Sequence, residues 1–425
     1  MNKRKLLGAA VFFGLVTLII LLIKPKDKGA TYSPYFRALN QELKTNGPGR
    51  PVVIVDLDLL DSNIAELKRH FHSSRHYRVV DKSLPSYPLL SYIMRSTATK
   101  RVMCFHQPYL NAWVREKPDV DLLLGKPMPL AALETFYNNL PDSSTFNPAK
   151  QVQWLIDSKE RLLQYLQFAK RSNRQLQINI EIDVGLHRGG LKEPEHLGEL
   201  LAIIQKESDY LSFTGFMGYD AHVPEVFFPL GSPQLALQDV IRRYSSFVYA
   251  GKKQFPDLFA KPLTFNGAGS KTYQMYDNDT ILNDLAAGSG LLLPSDFDVA
   301  TLKNHRPAVF IATPVLKREE GIKIPFLEFL EPVMRWWNPN LAISYFIYGG
   351  RWKAKHYSPA GLQDNSLYGF SSNQQIVNGA ASTELNIDDY IFLRPTQSEA
   401  VMLEFGNIYT VRNGKLGETW KVFEQ

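Results

Sequence analysis

The sequence predicts an α/β protein in which a (β/α)₈ TIM barrel is followed by a β-rich C-terminal domain. Short β-branched runs alternate with helix-length amphipathic segments from about residue 50 to residue 300. Beyond about residue 300 the pattern changes to short strands joined by turns, without a strong helix. The chain has 425 residues, which is long enough for a large barrel and a smaller module.

Eight strand-like runs support the barrel. In chain order they are PVVIVD, YRVVDK, RVMCFH, DVDLLLG, VQWLID, LQINIEID, LSFTGFMGYD and PLTFNGAGS. The segment after the first run, residues 58–71, has apolar residues at helical spacing after Asp58, a plausible N-cap. Eight strands over about 240 residues favour a closed barrel over an open doubly wound sheet, which usually needs fewer strands. We therefore expect the chemistry to lie at the carboxyl ends of these strands.

The N-terminus carries an apolar run of eighteen uncharged residues, 6–23. This length is at the short end of a membrane-spanning helix. The alternative is a cleaved signal peptide, but the run is long for one and no A-x-A cleavage site follows it. We predict a single-pass transmembrane anchor over residues 1–28, a polar linker over 29–49, the barrel over 50–300 and the β domain over 301–425. Basic residues flank both ends of the run, so the side of the membrane stays undetermined.

Composition excludes several classes of protein. A hydrophobic content of 44% with 12% aromatic residues excludes a disordered chain. The single cysteine, Cys104, excludes an intramolecular disulfide and a cysteine zinc cage. The net charge of +6 comes largely from residues around the apolar run, namely Lys3, Arg4, Lys5, Lys24, Lys26 and Lys28. No basic stripe interleaved with aromatics follows residue 30, which argues against nucleic-acid binding.

One lysine, Lys82, stands at the end of the β-branched run in YRVVDKSLP. A single lysine is most often a solvated surface residue. At the end of a barrel strand, however, it would face a concave mouth, where partial desolvation of the ammonium group favours the free, nucleophilic amine. Such an amine can form a Schiff base with an aldehyde cofactor.

Three further segments place unusual residues at strand ends. The turn at residues 267–270, with Gly, Ala, Gly and Ser in order, suits an anion at the usual phosphate site of a barrel, although a plain tight turn is the alternative. The segment EIDVGLHRGG places Arg188 at the mouth, where a surface arginine is the alternative. The segment GYDAH places Tyr219 and His222 at the next strand end, where both could instead be core residues.

The order of these segments, from about residue 50 to the C-terminus, resembles the D-threonine aldolase and D-serine dehydratase-like family. This family is related to alanine racemase and has a fold-type III pyridoxal-phosphate barrel followed by a β domain. The run RVVDKS keeps the family's R-x-x-x-K-[ST] element as Arg78, Lys82 and Ser83. The resemblance implies that Lys82 forms the Schiff base with pyridoxal 5'-phosphate, and that the protein is a homodimer.

The resemblance also implies a set of cofactor-binding residues. Arg188 matches the family arginine that lies near the pyridine ring, and Tyr219 and His222 match its G-Y-x-x-H segment. The glycine turn matches the phosphate loop, and AAGSG, residues 286–290, resembles a second segment near the phosphate. The residues that this assigns to the phosphate are Gly267, Gly269, Ser270, Gly288 and Ser289.

The chain departs from the family near its C-terminus. Family members often carry P-N-H-x-C or P-N-H-x-D there, whose His and Cys or Asp hold a divalent metal. Here the segment reads RPTQSEAV, so that Gln397 and Glu399 stand at the ligand positions. Alternate residues of a strand share a face, so the pair could converge on one ion. Their oxygen atoms suit Mg²⁺ or Mn²⁺ better than Zn²⁺, and two such ligands predict weak binding.

The leading functional prediction is a membrane-tethered, pyridoxal-phosphate-dependent enzyme that acts on a small D-amino acid. It would be a lyase of the aldolase or dehydratase type, or a racemase-like isomerase. Loss of the family's metal ligands favours racemase-like or altered chemistry, since the metal polarises the substrate hydroxyl. The alternative is a pyridoxal-phosphate carrier or non-catalytic homologue. A third interpretation, a barrel that handles sugars or phosphates without an imine, also remains open.

Overall fold

The computed structural model describes Phe12 and residues 22–71, 75–141, 145–227, 229–277 and 281–424 of the chain. Within these residues the chain divides into two compact units. The larger unit comprises 55–309, 396–410 and 418–425, and the smaller unit comprises 1–54, 310–395 and 411–417. The predicted boundary near residue 300 does not separate the two units completely, because the late segments 396–410 and 418–425 belong to the larger unit.

The strands and helices are numbered along the chain. The strands are β1 (Val52–Asp56), β2 (His76–Val80), β3 (Arg101–Cys104), β4 (Asp121–Leu124), β5 (Val152–Ile156), β6 (Leu176–Glu181), β7 (Leu211–Met217), β8 (Thr264–Gly267), β9 (Asp284–Ala287), β10 (Val309–Glu320), β11 (Ile343–Tyr348), β12 (Ala354–Ser358), β13 (Gln363–Asp364), β14 (Gln374–Gly379), β15 (Tyr390–Pro395), β16 (Asn407–Arg412) and β17 (Lys415–Lys421). The helices are α1 (Pro34–Asn46), α2 (Leu57–Arg69), α3 (Tyr87–Thr97), α4 (Gln107–Glu116), α5 (Leu130–Asn138), α6 (Pro148–Gln151), α7 (Lys159–Ser172), α8 (Leu197–Lys206), α9 (Pro233–Gln254), α10 (Glu331–Trp337) and α11 (Ser398–Phe405).

The larger unit contains a closed barrel of eight parallel strands, β2 to β9 in chain order. The barrel closes where β9 pairs with β2, with Leu285 opposite Tyr77. All five residues of β5 are buried, as expected for a parallel strand that is covered on both faces. The helices between strands are amphipathic; in α7, for example, Leu162, Tyr165 and Leu166 are buried. The predicted (β/α)₈ barrel is confirmed.

The membership of the barrel differs from the prediction at both ends. The run PVVIVD forms β1, which is not a barrel strand but lies between β10 and β16 in a separate sheet. The eighth barrel strand is instead β9, whose sequence Asp-Leu-Ala-Ala contains no β-branched residue and so gives a weak strand signal. The glycine turn at residues 267–270 therefore follows the seventh barrel strand, and residues 288–290 follow the eighth.

A sheet accounts for most of the smaller unit. Strand β10 pairs antiparallel with β15 through residues 311–314 and with β11 through residues 315–320, and β11 pairs in turn with β14. The order along the sheet is β13-β14-β11-β10-β1-β16-β17, with β12 paired to β15. The predicted β-rich domain is confirmed. Two helices were not predicted in the C-terminal part of the chain, α10 and α11.

The predicted linker over residues 29–49 contains helix α1. Its N-cap, Ser33, accepts a hydrogen bond from the N–H of Phe36, and a proline occupies the first turn. Phe36, Leu39 and Leu43 recur at helical spacing and are buried. The polar and Pro/Gly-rich ends of this segment concealed the apolar stripe between them.

The structure contradicts the prediction of a transmembrane anchor, and with it the predicted membrane localisation. Among the residues that the structure describes, no helix is both long enough and apolar enough to cross a bilayer. The longest described helix, α9, has 22 residues, but Asp239, Arg242 and Lys252 are among the charged residues that it carries. Of the predicted span 6–23, only Phe12, Leu22 and Ile23 belong to the described residues; the remainder lies outside them.

Candidate active site

Lys82 lies in a short 3₁₀ turn, Asp81–Ser83, directly after the first barrel strand. This places its side chain at the carboxyl end of the barrel, where (β/α)₈ proteins carry their active sites. The Nζ atom lies 3.5 Å from Oε1 of Glu399 and 6.0 Å from the ring centre of Phe105. The Lys82 side chain is 54% exposed, so it is less desolvated than the sequence argument expected. Its amine is open to an incoming molecule and faces one carboxylate.

Small residues after β8 and β9 form a polar cradle. Ser270 Oγ accepts hydrogen bonds of 3.0 Å from the N–H groups of both Gly288 and Gly290. The hydroxyl of Ser289 donates to Oγ of Ser83 over 2.9 Å. Ala268 adopts a positive φ of 62°, a conformation that costs a non-glycine residue energy and is concentrated at functional sites. The residues of this cradle carry hydroxyl groups and no carboxylate, a composition that suits an anion, although Asp296 lines the same cavity.

Arg188 and Tyr219 form a stacked pair at the same mouth. The guanidinium carbon of Arg188 lies 4.6 Å from the centre of the Tyr219 ring, within the range of a cation–π contact. A Cβ atom on Gly269 would lie 2.8 Å from Cε2 of Tyr219, so the turn can approach the ring only because residue 269 is glycine. Burial, and then the charge of Asp220, raises the pKa of Tyr219, which keeps its hydroxyl protonated at neutral pH.

A chain of buried hydrogen bonds holds the glycine turn at residues 267–270 in place. The N–H of Gly269 donates to Oγ1 of Thr272 over 2.9 Å, and the Thr272 hydroxyl donates to Oδ1 of Asp220 over 2.8 Å. The hydroxyl of Tyr276 donates to the other oxygen of Asp220 over 2.6 Å. Asp220 is fully buried, and burial raises its pKa to about 6 although both hydroxyl donors oppose the shift. Asp220 and Thr272 are positioning residues that sequence analysis missed.

Replacing Thr272 by valine is expected to weaken cofactor binding about tenfold, because the variant keeps the side-chain shape but removes the hydroxyl between Gly269 and Asp220. The measurement is the cofactor dissociation constant, obtained by titration of the full chain. Thr214→Val is the matched control, since it also removes a buried hydroxyl, one that donates to Ile178 O on the barrel wall. Equal dissociation constants for the two variants would contradict a supporting role for Thr272.

Most of the predicted site residues meet at one cavity of about 380 Å³, a size typical of small-molecule sites. Those that line it are Lys82, Arg188, Tyr219, Gly269, Ser270, Gly288, Ser289, Gln397 and Glu399. Two are not in its lining. Gly267 is the last residue of β8. His222 is half-buried near Gly185, and its Nδ1 has no hydrogen-bond partner among the described residues.

The two predicted metal ligands are placed differently from the expectation. They do not alternate on a strand, because β15 ends at Pro395 and Gln397 is the N-cap of helix α11, in whose first turn Glu399 lies. Glu399 is already paired with Lys82. In the described part of the chain, no group of three or more His, Cys, Asp or Glu side chains is placed to hold a metal ion. This donor set does not fit a divalent metal.

Comparison with solved structures finds the same fold in several enzymes. D-threonine aldolase from Filomicrobium marinum superimposes with a TM-score of 0.67 and 15% identity, over 88% of this chain and 97% of that chain. Alanine racemase from Bacillus anthracis gives a TM-score of 0.66 and 14% identity over the same shares. D-threo-3-hydroxyaspartate dehydratase from Delftia sp. HT23 gives 0.64 and 14%, again over 88% and 97%. At this identity the likeness establishes the fold.

The family assignment rests on the sequence itself. Residues 55–278, more than half of the chain, match the family described as "Alanine racemase, N-terminal domain". Comparison with curated proteins finds no match. The predicted resemblance to fold-type III enzymes, and the prediction of pyridoxal 5'-phosphate as cofactor, are confirmed. The chain thus belongs to the alanine racemase N-terminal domain family of fold-type III pyridoxal-phosphate enzymes.

Proposed function

We propose that this chain is a pyridoxal-phosphate-dependent enzyme that acts on a small D-amino acid, as a lyase of the aldolase or dehydratase type or as a racemase-like isomerase. The observation that carries the proposal is the position of Lys82. Its amine opens into the cavity that the glycine and serine turns after β8 and β9 also line. The names of the structural neighbours, a D-threonine aldolase, a D-hydroxyaspartate dehydratase and an alanine racemase, support the substrate class.

The residues of the cavity fit the cofactor. The cradle around Ser270 and Ser289 would hold the phosphate, since neither residues 267–271 nor 286–291 contain an acidic side chain. Arg188, fixed over the Tyr219 ring, would lie beside the cofactor ring. Lys82 Nζ would hold the cofactor covalently. When bound, pyridoxal phosphate supplies an electron sink for a bond that breaks at the α-carbon of an amino acid.

The chain contributes binding, orientation and proton transfer. Glu399 Oε1 lies 3.5 Å from Lys82 Nζ, so this carboxylate positions the lysine side chain at the cavity. Lys82 lines the cavity, and its amine would return a proton to carbon. The Thr272 and Asp220 chain holds the glycine turn in place, so that the anion site is formed before the ligand arrives.

The test is a visible absorption spectrum of the full chain purified with pyridoxal phosphate, beside its Lys82→Ala variant. We expect a band of covalently bound cofactor in the parent, which borohydride fixes to the protein, and no such band in the variant. Lys192→Ala is the control, because Lys192 is exposed and lines neither cavity at the mouth. A band of equal strength in Lys82→Ala would overturn the role of this lysine. The absence of a band from the parent would overturn the proposed function.

A second candidate function is a pyridoxal-phosphate carrier with little catalysis. The observation that favours it is the replacement of the family's metal ligands by Gln397 and Glu399. A carrier would bind the cofactor but release no ammonia, glycine or L-enantiomer from D-serine, D-threonine or D-alanine, with or without Mn²⁺. Release of any of these products that depends on Lys82 would exclude the carrier.

A further inference from the structure

A second cavity of about 570 Å³ opens beside the first at the mouth of the barrel. Its walls come from the residues that follow β3, β4, β5 and β6, and we call it the β3–β6 chamber. Five residues line both cavities: Lys82, Phe105, Gly125, Arg188 and Glu399. The phosphate cradle after β8 and β9 lines only the first cavity. Lys82 therefore stands at the border between an anion site and a chamber that the proposed function has not used.

A buried carboxylate lines the chamber. Glu181 is the last residue of β6 and is only 9% exposed. Among the described residues its side chain makes no hydrogen bond and no ion pair, although buried carboxylates are normally paired. A Cβ atom on Gly189 would lie 3.5 Å from Glu181 Oε1, so the glycine keeps the space beside this oxygen open. Asp157, directly after β5, lines the same chamber.

The cations of the chamber do not neutralise this carboxylate. Lys82 is paired with Glu399, and Arg188 stacks on Tyr219. Lys126 lies at an exposed position after β4. Burial, followed by the negative charge of Asp157, raises the pKa of Glu181 to about 7, even though Arg188 opposes the shift. An added cation beside Glu181 and Asp157 would relieve the repulsion between the two carboxylates and donate hydrogen bonds to them.

We propose that the β3–β6 chamber binds the side chain of the substrate and selects D-amino acids whose side chain ends in a positive charge, such as D-ornithine. The proposal rests on the proposed function, because the reacting α-carbon must lie near Lys82 Nζ. Since the cofactor phosphate would be held on the β8 and β9 side of that border, the side chain would have the opposite chamber available. Glu181 and Asp157 would then accept hydrogen bonds from its terminal ammonium group.

D-ornithine and D-norleucine provide a matched pair of probes, because they differ only in a terminal ammonium in place of a methyl group. Isothermal titration calorimetry of the full chain, with and without pyridoxal phosphate, gives the dissociation constant of each. We expect D-ornithine to bind about tenfold or more tightly than D-norleucine. Glu181→Gln, which keeps the side-chain shape, should remove this preference. The control Glu195→Gln changes an exposed acid outside the chamber and should keep it.

Two results would overturn the proposal: equal binding of the two probes by the parent, or tighter binding of D-glutamate than of D-ornithine. If Glu181→Gln loses its far-ultraviolet circular dichroism, Asp157→Asn replaces it, and a retained preference for D-ornithine in that variant would count against the chamber.

The experiments distinguish failure of the chamber proposal from failure of the proposed function. A cofactor band without a preference for D-ornithine overturns only the chamber. A preference without a cofactor band on Lys82 overturns only the proposed function.

Discussion

Replacement of Arg78 by methionine is expected to lower the free energy of unfolding by about 3 to 5 kcal/mol, because it leaves a buried carboxylate without its main partner. The Arg78 side chain is fully buried in the barrel. Its Nε and one terminal nitrogen donate to the two oxygens of Asp284 over 2.8 and 3.0 Å, and the other nitrogen donates to Asp121 over 2.9 Å. Burial alone would raise the pKa of Asp284, but Arg78 and Arg101 outweigh it and the pKa is lowered.

Urea unfolding of the full chain, followed by circular dichroism, measures this loss. Arg95→Met serves as the control because Arg95 is exposed on α3, and such a change should stay within about 0.5 kcal/mol. The double variant Arg78→Met, Asp284→Asn should recover part of the stability, since it removes the uncompensated charge as well. A loss below about 1 kcal/mol in Arg78→Met would show that the barrel does not depend on this ion pair. Arg78, kept from the family motif, is thus a structural residue of β2.

Asp81→Asn is expected to make the stability of the protein less dependent on pH. Asp81 is fully buried next to Lys82 and accepts a hydrogen bond of 3.1 Å from Nε1 of Trp113, whereas its Oδ1 has no partner within the described residues. Burial is the largest cause that raises its pKa, to about 7. In the unfolded chain the pKa of an aspartate is about 3.9. Between these values the unfolded state binds fewer protons than the folded state, so the stability contributed by Asp81 is lost as pH rises from about 4 to about 7.

A rise of the Asp81 pKa from about 3.9 in the unfolded chain to about 7 in the folded protein corresponds to a loss on the order of 4 kcal/mol, which Asp81→Asn should abolish. Urea unfolding at pH 5 and at pH 8 should therefore show a smaller drop in the variant than in the parent. Asp119→Asn is a control, because the contribution of Asp119 to stability has the opposite dependence on pH. Lys100 and Lys117 lower the pKa of Asp119 to about 2, so that its contribution is lost only on acidification. If the parent is equally stable at both pH values, Asp81 is not protonated in the folded state.

The sequence predicted the barrel well because parallel strands buried on both faces carry a strong, continuous apolar signal. It failed at β1 and β9, because strand propensity does not say which sheet a strand joins. The run Val52–Asp56 has the composition of a barrel strand but pairs elsewhere, whereas the Asp-Leu-Ala-Ala of β9 is recognised only by its pairing with β2. Pairing partners are a property of tertiary structure.

In the candidate site, too, some residues were predicted from the sequence and others were not. Lys82, Arg188 and Tyr219 were found because each follows a strand and matches a family motif. Glu181 was not predicted as a site residue, since the absence of a hydrogen-bond partner is visible only when the neighbouring strand ends are assembled. The helix at Ser398–Phe405 was predicted as a strand, although Ala, Met, Leu and Glu are good helix formers, because Val401 and Met402 also suit a short strand. This error placed Gln397 and Glu399 on one strand face.

The barrel unit includes residues 396–410, and this segment has a consequence for biosynthesis. The Ser398 hydroxyl donates to the carbonyl oxygen of Ser83 over 2.8 Å, across 315 residues of sequence, and Glu399 meets Lys82 nearby. A ribosome makes the chain from the N-terminus at about 5–20 residues per second, so all eight barrel strands are synthesised well before this segment. We expect a nascent chain halted before residue 396 to contain all eight barrel strands. Lys82 would then lack its ion-pair partner, the Glu399 carboxylate. The Lys82–Glu399 ion pair would form only after residue 399 has been synthesised.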